Sequence, residues 1–512
     1  MKKIILILLI SMCLPALLQA QKEMNNWAFG VNAGLTWNTT RSITLTGLLG
    51  TANATLAGLP TSFKSSINTV EGCFSLSDND GKLLFYSDGI TIWDTNGKAM
   101  PGSLNPALTG HSSSAQSGII FPYPGSTTKF VAVTLNIGTV AGNTAAYSVV
   151  DMSLKGNGTV ALPLGDVITT QKNIKLPNGV GAISESCTAT LGADGSYWII
   201  APGRGNPTQF NAWKFTEAGI AANPVVSTTT FSSSISIGAC GYIKISYDGK
   251  HFAWGQYSDG GLVVGDFNNA TGVFTNIRRI VPGGTSIYGI EFSPSLKYLY
   301  TGGYAASTLS VYDFNALLAG TSTTPLRLIT TLPGTPYNPQ LGPDKRLYIA
   351  TYSTNCIVIV DNPDDDPSLW RIYQTDNTTF LQSGTNNQIG FPSFMGSWFA
   401  GKAKPKNFQC TANSHNYSIT VDMSGVASQL PVKLEWDFGD GTTKVTQPIA
   451  AGTTIYKQPH TYTSTGVYTI TITPIKADNT TLSKINMQTN VTDCPIQTNP
   501  IVRTNLYNSL QQ

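Results

Sequence analysis

Six segments of the chain share one pattern: a turn, often with Asp or Gly, then a small or basic residue, then an aromatic and aliphatic run. They are DNDGKLLFY (78–86), GSTTKFVAV (125–133), GADGSYWII (192–200), SYDGKHFAW (246–254), SPSLKYLYT (293–301) and GPDKRLYIA (342–350). Aligned on Lys82, Lys129, Ser196, Lys250, Lys297 and Lys345, they lie 47, 67, 54, 47 and 48 residues apart. A fixed period means one supersecondary unit repeated, and about 40–50 residues is the length of a four-stranded propeller blade. The turn then closes the hairpin between two central strands of a blade, and the longest interval carries an insertion within 134–182. One more period reaches FPSFMGSWF (391–399), which could pair with NNWAFG (25–30) and close a ring by exchanging strands between the chain ends. Seven blades are expected, although six or eight fit as well. A row of β-sandwiches with similar hairpins is the alternative, but sandwiches rarely keep one period over six units. A closed ring also explains how so many short strands avoid exposed sheet edges.

The remaining sequence agrees with an all-β chain. Runs rich in Val, Ile, Tyr, Phe and Trp alternate with Gly, Asn, Asp and Pro clusters, helical periodicity is nearly absent, and 50 glycines with 28 prolines imply many turns. Residues 1–20 read as a secretory signal peptide: Lys2 and Lys3, an apolar run from Ile4 to Leu18, then Leu18-Gln19-Ala20 before the expected cut. Cys13 does not suit lipidation, because Met12 precedes it. Nothing later resembles a spanning helix, so an exported chain, extracellular or on the outer cell surface, is expected. Charged residues make up 12% of the chain against a usual ~25%. Loss of Lys2 and Lys3 lowers the formal net charge from +3 to about +1. That excludes nucleic acid as a partner, since phosphate binding needs clustered Lys and Arg.

The character of the chain changes after Phe399. Residues 21–400 are assigned to the propeller and GKAKPKN (401–407) to a linker; residues 408–494 form a second domain, and 495–512 a tail with little pattern. WDFGDGT (436–442) followed by HTYTSTGVYTITIT (460–473) closely resembles the PKD domain, a small immunoglobulin-like sandwich. The residues read the same way: Trp436 and Phe438 alternate inward, Asp437, Asp440 and Gly441 make a turn, and Tyr468 and Ile470 supply the facing strand. His460 and Asp437 are expected to be structural hydrogen-bonders. Six cysteines remain after the signal. Cys410 and Cys494 bracket the second domain and are a disulfide candidate; Cys73, Cys187, Cys240 and Cys356 could be bridged or be buried free thiols. Four stretches resemble the opening region of exported surface proteins related to gliding-motility-associated proteins of the Bacteroidota. They are NNWAFGVNAGL (25–35), EGCFSLSD (71–78), GKLLFYSDGITIWD (81–94) and GHSSSAQSGIIFPYPGS (110–126). FPSFMGSWF resembles that region's closing strand. The resemblance implies a surface or secreted role without a defined biochemical activity. Many relatives continue into a C-terminal sorting domain, whereas this chain ends soon after one PKD domain, which puts surface retention through such a tail in doubt.

Catalytic patterns are scarce. His111, His251, His415 and His460 show no ligand spacing, and there is no CxxC, phosphate-cradling Gly loop or GxSxG elbow. His111 with Ser112, Ser113 and Ser114 could be a nucleophile and base, but a buried loop held by hydroxyl hydrogen bonds is the better reading. Asp361, Asp364, Asp365 and Asp366 could bind Ca²⁺, yet Pro363 and Pro367 flank them and favour a solvated loop between blades. Asp78 with Asp80 reads as a hairpin turn. No catalytic, cofactor or metal residue is assigned. The one enzymatic foothold is a set of glutamates preceding repeat strands, Glu71, Glu185 and Glu291, of which Glu71 and Glu185 could both face the central channel as a glycosidase pair. The expected function is binding or structural and not enzymatic, with a glycan, a matrix polymer or another surface protein as partner. Tyr and Trp faces stack on sugar rings, and amides bond hydroxyls without charge. A glycan-active propeller enzyme with an accessory PKD domain is the alternative, and a scaffold subunit of an extracellular assembly is a third.

Overall fold

The repeated turns close hairpins through side chains that imitate the backbone. In a computed structural model, the Asp78 carboxylate accepts from the N–H groups of Asp80 and Lys82 at 2.9 Å each. Asp194, Asp248 and Asp344 accept in the same way from Ser196, Lys250 and Arg346. The hydroxyls of Ser126 and Ser293 take this part in the remaining two turns. Short Asp and Ser side chains favour this geometry over helix or sheet. The residue two before the second strand is left-handed in five of the turns: Gly81, Gly195 and Gly249 at φ +89°, +83° and +73°, but Leu296 and Lys345 at +62° and +63°. Lys345 therefore holds the glycine position, and the last repeat is in register on Arg346, one residue later than the sequence alignment placed it. The structure describes residues 22–492 except 138–144, 180–181, 206, 232–239, 258–260, 281–285, 304–307, 353, 400–408, 412–413, 422–429, 451 and 483. The signal peptide, the linker, Cys494 and the tail lie outside the described residues.

Each turn joins a short first strand to an antiparallel second strand. The pairs are Phe74–Ser77 with Leu83–Ser87, Gly118–Pro122 with Lys129–Leu135, and Thr188–Leu191 with Tyr197–Arg204. They continue with Ile243–Ile245 and His251–Gln256, Ile287–Phe292 and Tyr298–Gly303, and Thr335–Leu341 and Leu347–Tyr352. Further strands add outward, and the first strands pack side by side in chain order, which is the arrangement of a β-propeller. The long interval is filled by residues 152–165 and by two short strands, Asp166–Val167 and Ile174–Lys175, paired with Ala145–Asp151.

Closure of the ring departs from the expected strand exchange. Residues 386–399 do lie against the N-terminal strand Asn26–Phe29: Phe391 meets Trp27 and Phe29 with ring centroids 5.2 and 5.0 Å apart. Among the described residues no ladder pairs the segment with a strand; isolated bridges join Val31 with Asn386 antiparallel and Cys73 with Pro392 parallel, and Gly396–Phe399 is a 3-10 turn. The segment passes the start of Phe74–Ser77 and then reaches Ile243–Ile245, where Gly396 sits so close to the Ile245 carbonyl that a Cβ would lie 2.2 Å from it. A second closure was not foreseen. Val31–Leu48 and Ala54–Asn68 form a long hairpin, and Thr46–Leu48 pairs with Ile372–Gln374 at the edge of the last propeller sheet. Cys73, Cys187, Cys240 and Cys356 are buried and joined in no disulfide.

The chain divides into two compact units at Gly401/Lys402. In the second, a five-stranded sheet runs in the order Gln409–Cys410, Ile485–Thr492, Gly466–Ile475, Lys433–Asp437, Val445–Pro448. Ser414–Thr420 pairs separately with Ile455–Thr461. Leu434, Trp436, Phe438, Ile470 and Ile472 fill the core as the alternation predicts. Tyr468 is only partly buried; the fully buried tyrosine is Tyr462, whose hydroxyl donates to the Phe438 carbonyl at 2.8 Å.

Candidate functional site

In antiparallel hairpins the starts of first strands and the ends of second strands share one end of the ring. Glu71, Ser113, Ala115 and Glu185 precede first strands, Tyr242, Tyr288 and Tyr337 lie at or near their starts, and Tyr257 and Tyr352 lie at the ends of second strands. All therefore gather at one mouth of the channel. Tyr288 is the hub. Its ring meets Tyr242, Tyr257 and Tyr337 at centroid distances of 5.8, 6.2 and 5.6 Å, and Tyr337 meets Tyr352 at 6.0 Å. Its hydroxyl donates to Glu71 Oε2 at 2.8 Å, while the Ser113 hydroxyl donates to Glu71 Oε1 at 3.0 Å. Glu185 is buried and accepts from the Ala115 N–H at 3.2 Å. Burial pushes the Glu71 carboxyl up to about 7; the Tyr288 hydrogen bond works against that shift, and the nearby Glu185 charge adds to it. Arg204, also buried, is attracted to Glu185, although desolvation is the larger influence on it and holds its pKa below the usual guanidinium value.

The three glutamates singled out in the sequence separate into two environments. Glu71 and Glu185 are close enough for the Glu185 charge to act on Glu71. Glu291 lies deeper, wholly buried, with Oε2 2.7 Å from Lys244 Nζ and 2.8 Å from the Leu341 N–H. Lys244 also donates to Gln340 at 2.9 Å, and the Tyr247 hydroxyl donates to Glu291 Oε1 at 3.1 Å. Desolvation lowers the Lys244 pKa, and Glu291 opposes that shift. This closed ion pair braces first strands of three sheets. Its partner Lys244 carried no signal in the sequence beyond being a lone Lys inside an apolar run.

The other sequence candidates take part in structure. His111 Nδ1 accepts from the Ser113 N–H at 3.0 Å and the Ser114 hydroxyl donates to the Leu135 carbonyl, so this cluster is a turn. It is not buried throughout, because Ser113 is exposed and reaches Glu71. Asp361 is held between Arg346 and Arg371, Asp364 accepts from Ser295, and Asp366 caps the short turn Pro367–Leu369. Asp364 and Asp365 line a shallow depression of about 400 Å³ with Pro294, Ser295, Lys345, Asn362 and Pro363. Among the described residues no group of three or more His, Cys, Asp or Glu is arranged to hold a metal ion. His460 Nε2 lies 2.8 Å from Asp440 Oδ2 and its ring stacks on Phe438 at 3.9 Å, while Asp437 accepts from the Gly439 N–H. The backbone of Cys410 pairs with Thr492, two residues before Cys494.

Residues 407–489 match the PKD domain family. No curated protein matches the chain. Among solved structures, a candidate 6-phosphogluconolactonase from Bacteroides fragilis is similar at 13% identity and a TM-score of 0.41, over 72% of this chain and 97% of that one. The Swd1 β-propeller domain of a Myceliophthora thermophila protein aligns at 10% identity and 0.37, over 69% and 97%. The extracellular domain of a candidate hybrid two-component system from Bacteroides thetaiotaomicron aligns at 12% and 0.36, over 92% and 56%. Likenesses this remote carry nothing about activity. No helix among the described residues is long and apolar enough to cross a membrane.

Proposed function

We propose that this chain is an exported, non-enzymatic binding protein of the cell surface or its surroundings. It takes a glycan or matrix polymer at the channel mouth of a seven-bladed propeller, and the PKD domain assists. In this count Val31–Leu48, Ala54–Asn68 and Asn26–Phe29 form one blade with the closing segment. The observation that carries the reading is the mouth itself, where the accessible rings of Tyr257 and Tyr352, the exposed Ser113 and the partly exposed Glu71 stand on a buried cluster of Tyr242, Tyr288, Tyr337 and Glu185. Rings stack on pyranose faces while hydroxyls and carboxylates bond sugar hydroxyls, so the set suits saccharides. The PKD domain fits an extracellular setting, and the resemblance of residues 25–126 to gliding-motility-associated surface proteins of the Bacteroidota points the same way.

A glycan-active enzyme is the second reading, favoured by one observation: a carboxyl raised to about 7 beside another carboxylate is the state a general acid needs. Against it, both mouth carboxylates are engaged by their own surroundings, Glu185 by the Ala115 N–H and Glu71 by two hydroxyls. Incubation of the purified protein with soluble and insoluble polysaccharides tests both. Retention without released sugar supports binding, whereas released reducing ends that vanish in Glu71→Gln would establish the enzyme.

A further inference from the structure

Glu71 is the one acid of the mouth whose charge is met by neutral groups alone. Its hydrogen-bond partners are the hydroxyls of Ser113 and Tyr288, at 3.0 and 2.8 Å, and among the described residues no ion pair holds it. Two other acids of the propeller do close on cations, Glu291 on Lys244 and Asp361 on Arg346 and Arg371, whereas the buried Asp88 and Asp94 are held by backbone N–H groups and an amide. The charge of Arg204 acts on Glu185, the neighbour of Glu71. A partly buried carboxylate beside a second carboxylate, without a cation, is electrostatically incomplete. Tyr288 is itself buried, and its ring meets the buried rings of Tyr242 and Tyr337 and the partly accessible ring of Tyr257. Ring faces attract cations as well as sugar faces, and the attraction grows when water is excluded.

We propose that Glu71 is the recognition point for a primary ammonium group on an amino sugar, so that the polymer bound at the mouth is a glycan carrying free amines. The ammonium would form an ion pair with Glu71, in hydrogen-bond reach of the Tyr288 and Ser113 oxygens, while the sugar ring lies against the partly accessible Tyr257. A charge-assisted contact of this kind separates an amine from its acetamide, which keeps the shape but loses the charge. The inference rests on the channel mouth being the binding site.

The test uses the whole purified protein with glucosamine oligomers, N-acetylglucosamine oligomers of equal length, neutral glucans and a lysine-containing peptide. The expected result is at least a tenfold preference for the free-amine oligomer over the acetylated one, lost in Glu71→Gln. Competition on the unmutated protein by glucosamine but not by glucose gives the same answer without any variant. Equal binding of amine and acetamide, a preference that survives Glu71→Gln, or capture of the lysine peptide in place of the oligomers overturns the inference. Retained neutral glucans in those cases leave the broader binding reading standing. Failure of every polymer to bind overturns both.

Discussion

Glu71 shows how one side chain ties stability to ligand recognition. Its carboxyl is raised from 4.5 to about 7, so the folded state favours the proton more than the unfolded chain does. The stabilising share is complete below pH 4.5 and is lost as the pH rises through about 7. Glu71→Gln should remove that decline, seen as a smaller difference between urea midpoints measured at acidic and mildly alkaline pH. Tyr288→Phe removes a hydroxyl that favours the charged carboxylate, so the Glu71 midpoint should climb further in a carbon-detected NMR titration. A backbone prediction comes from Lys345, exposed and left-handed where three other repeats use glycine. Lys345→Gly should raise stability by up to about 1 kcal/mol, since a left-handed non-glycine residue costs about 1–2 kcal/mol and glycine gives part of that back in entropy. Glu71 and Glu185 were visible in the sequence from their offsets before repeat strands. The tyrosine hub was not, because aromatic residues at strand ends look like core until the ring brings four loops together.

Among the elements, the inner strands carry a liability in a buried ion pair. Lys244 and Glu291 are a buried pair on neighbouring strands. Lys244→Met alone strands a charge and should cost about 3–5 kcal/mol, whereas the double change Lys244→Met with Glu291→Leu should cost much less, as chemical denaturation would show. The turn motif was legible because Asx-type hydrogen bonding needs only local sequence, and its one error, at Lys345, arose where a Lys takes the place that glycine holds in three other turns. The hairpin of Val31–Leu48 and Ala54–Asn68 escaped notice for a physical reason. TWNTTRSITLTG (36–47) is polar on most positions, its buried side chains being confined to residues such as Trp37 and Leu45. Strands with little apolar alternation are read from pairing, not from pattern. The closing segment was found by period, yet its form was missed because Pro392 and Gly396 interrupt any ladder.

The whole molecule comprises two units with separate cores, so damage to one should spare the other. Trp436 is wholly buried in the PKD core, and Trp436→Ala should destabilise that unit by about 3–5 kcal/mol while leaving the propeller transition unmoved in a calorimetric scan. The PKD fold was the most legible part of the chain, because its alternation, turn and facing strand lie within one local stretch. The ligand was the least legible, since propellers host unrelated activities and function lies in the site. The most direct measurement is therefore retention of the purified protein on insoluble polysaccharides, comparing the unaltered chain with Glu71→Gln and Tyr288→Phe and assaying released sugar alongside. Retention without sugar release, weakened in both variants, is the predicted result. Undiminished retention in both variants would contradict the account by placing binding away from the channel mouth, and release of sugar would contradict its non-enzymatic claim.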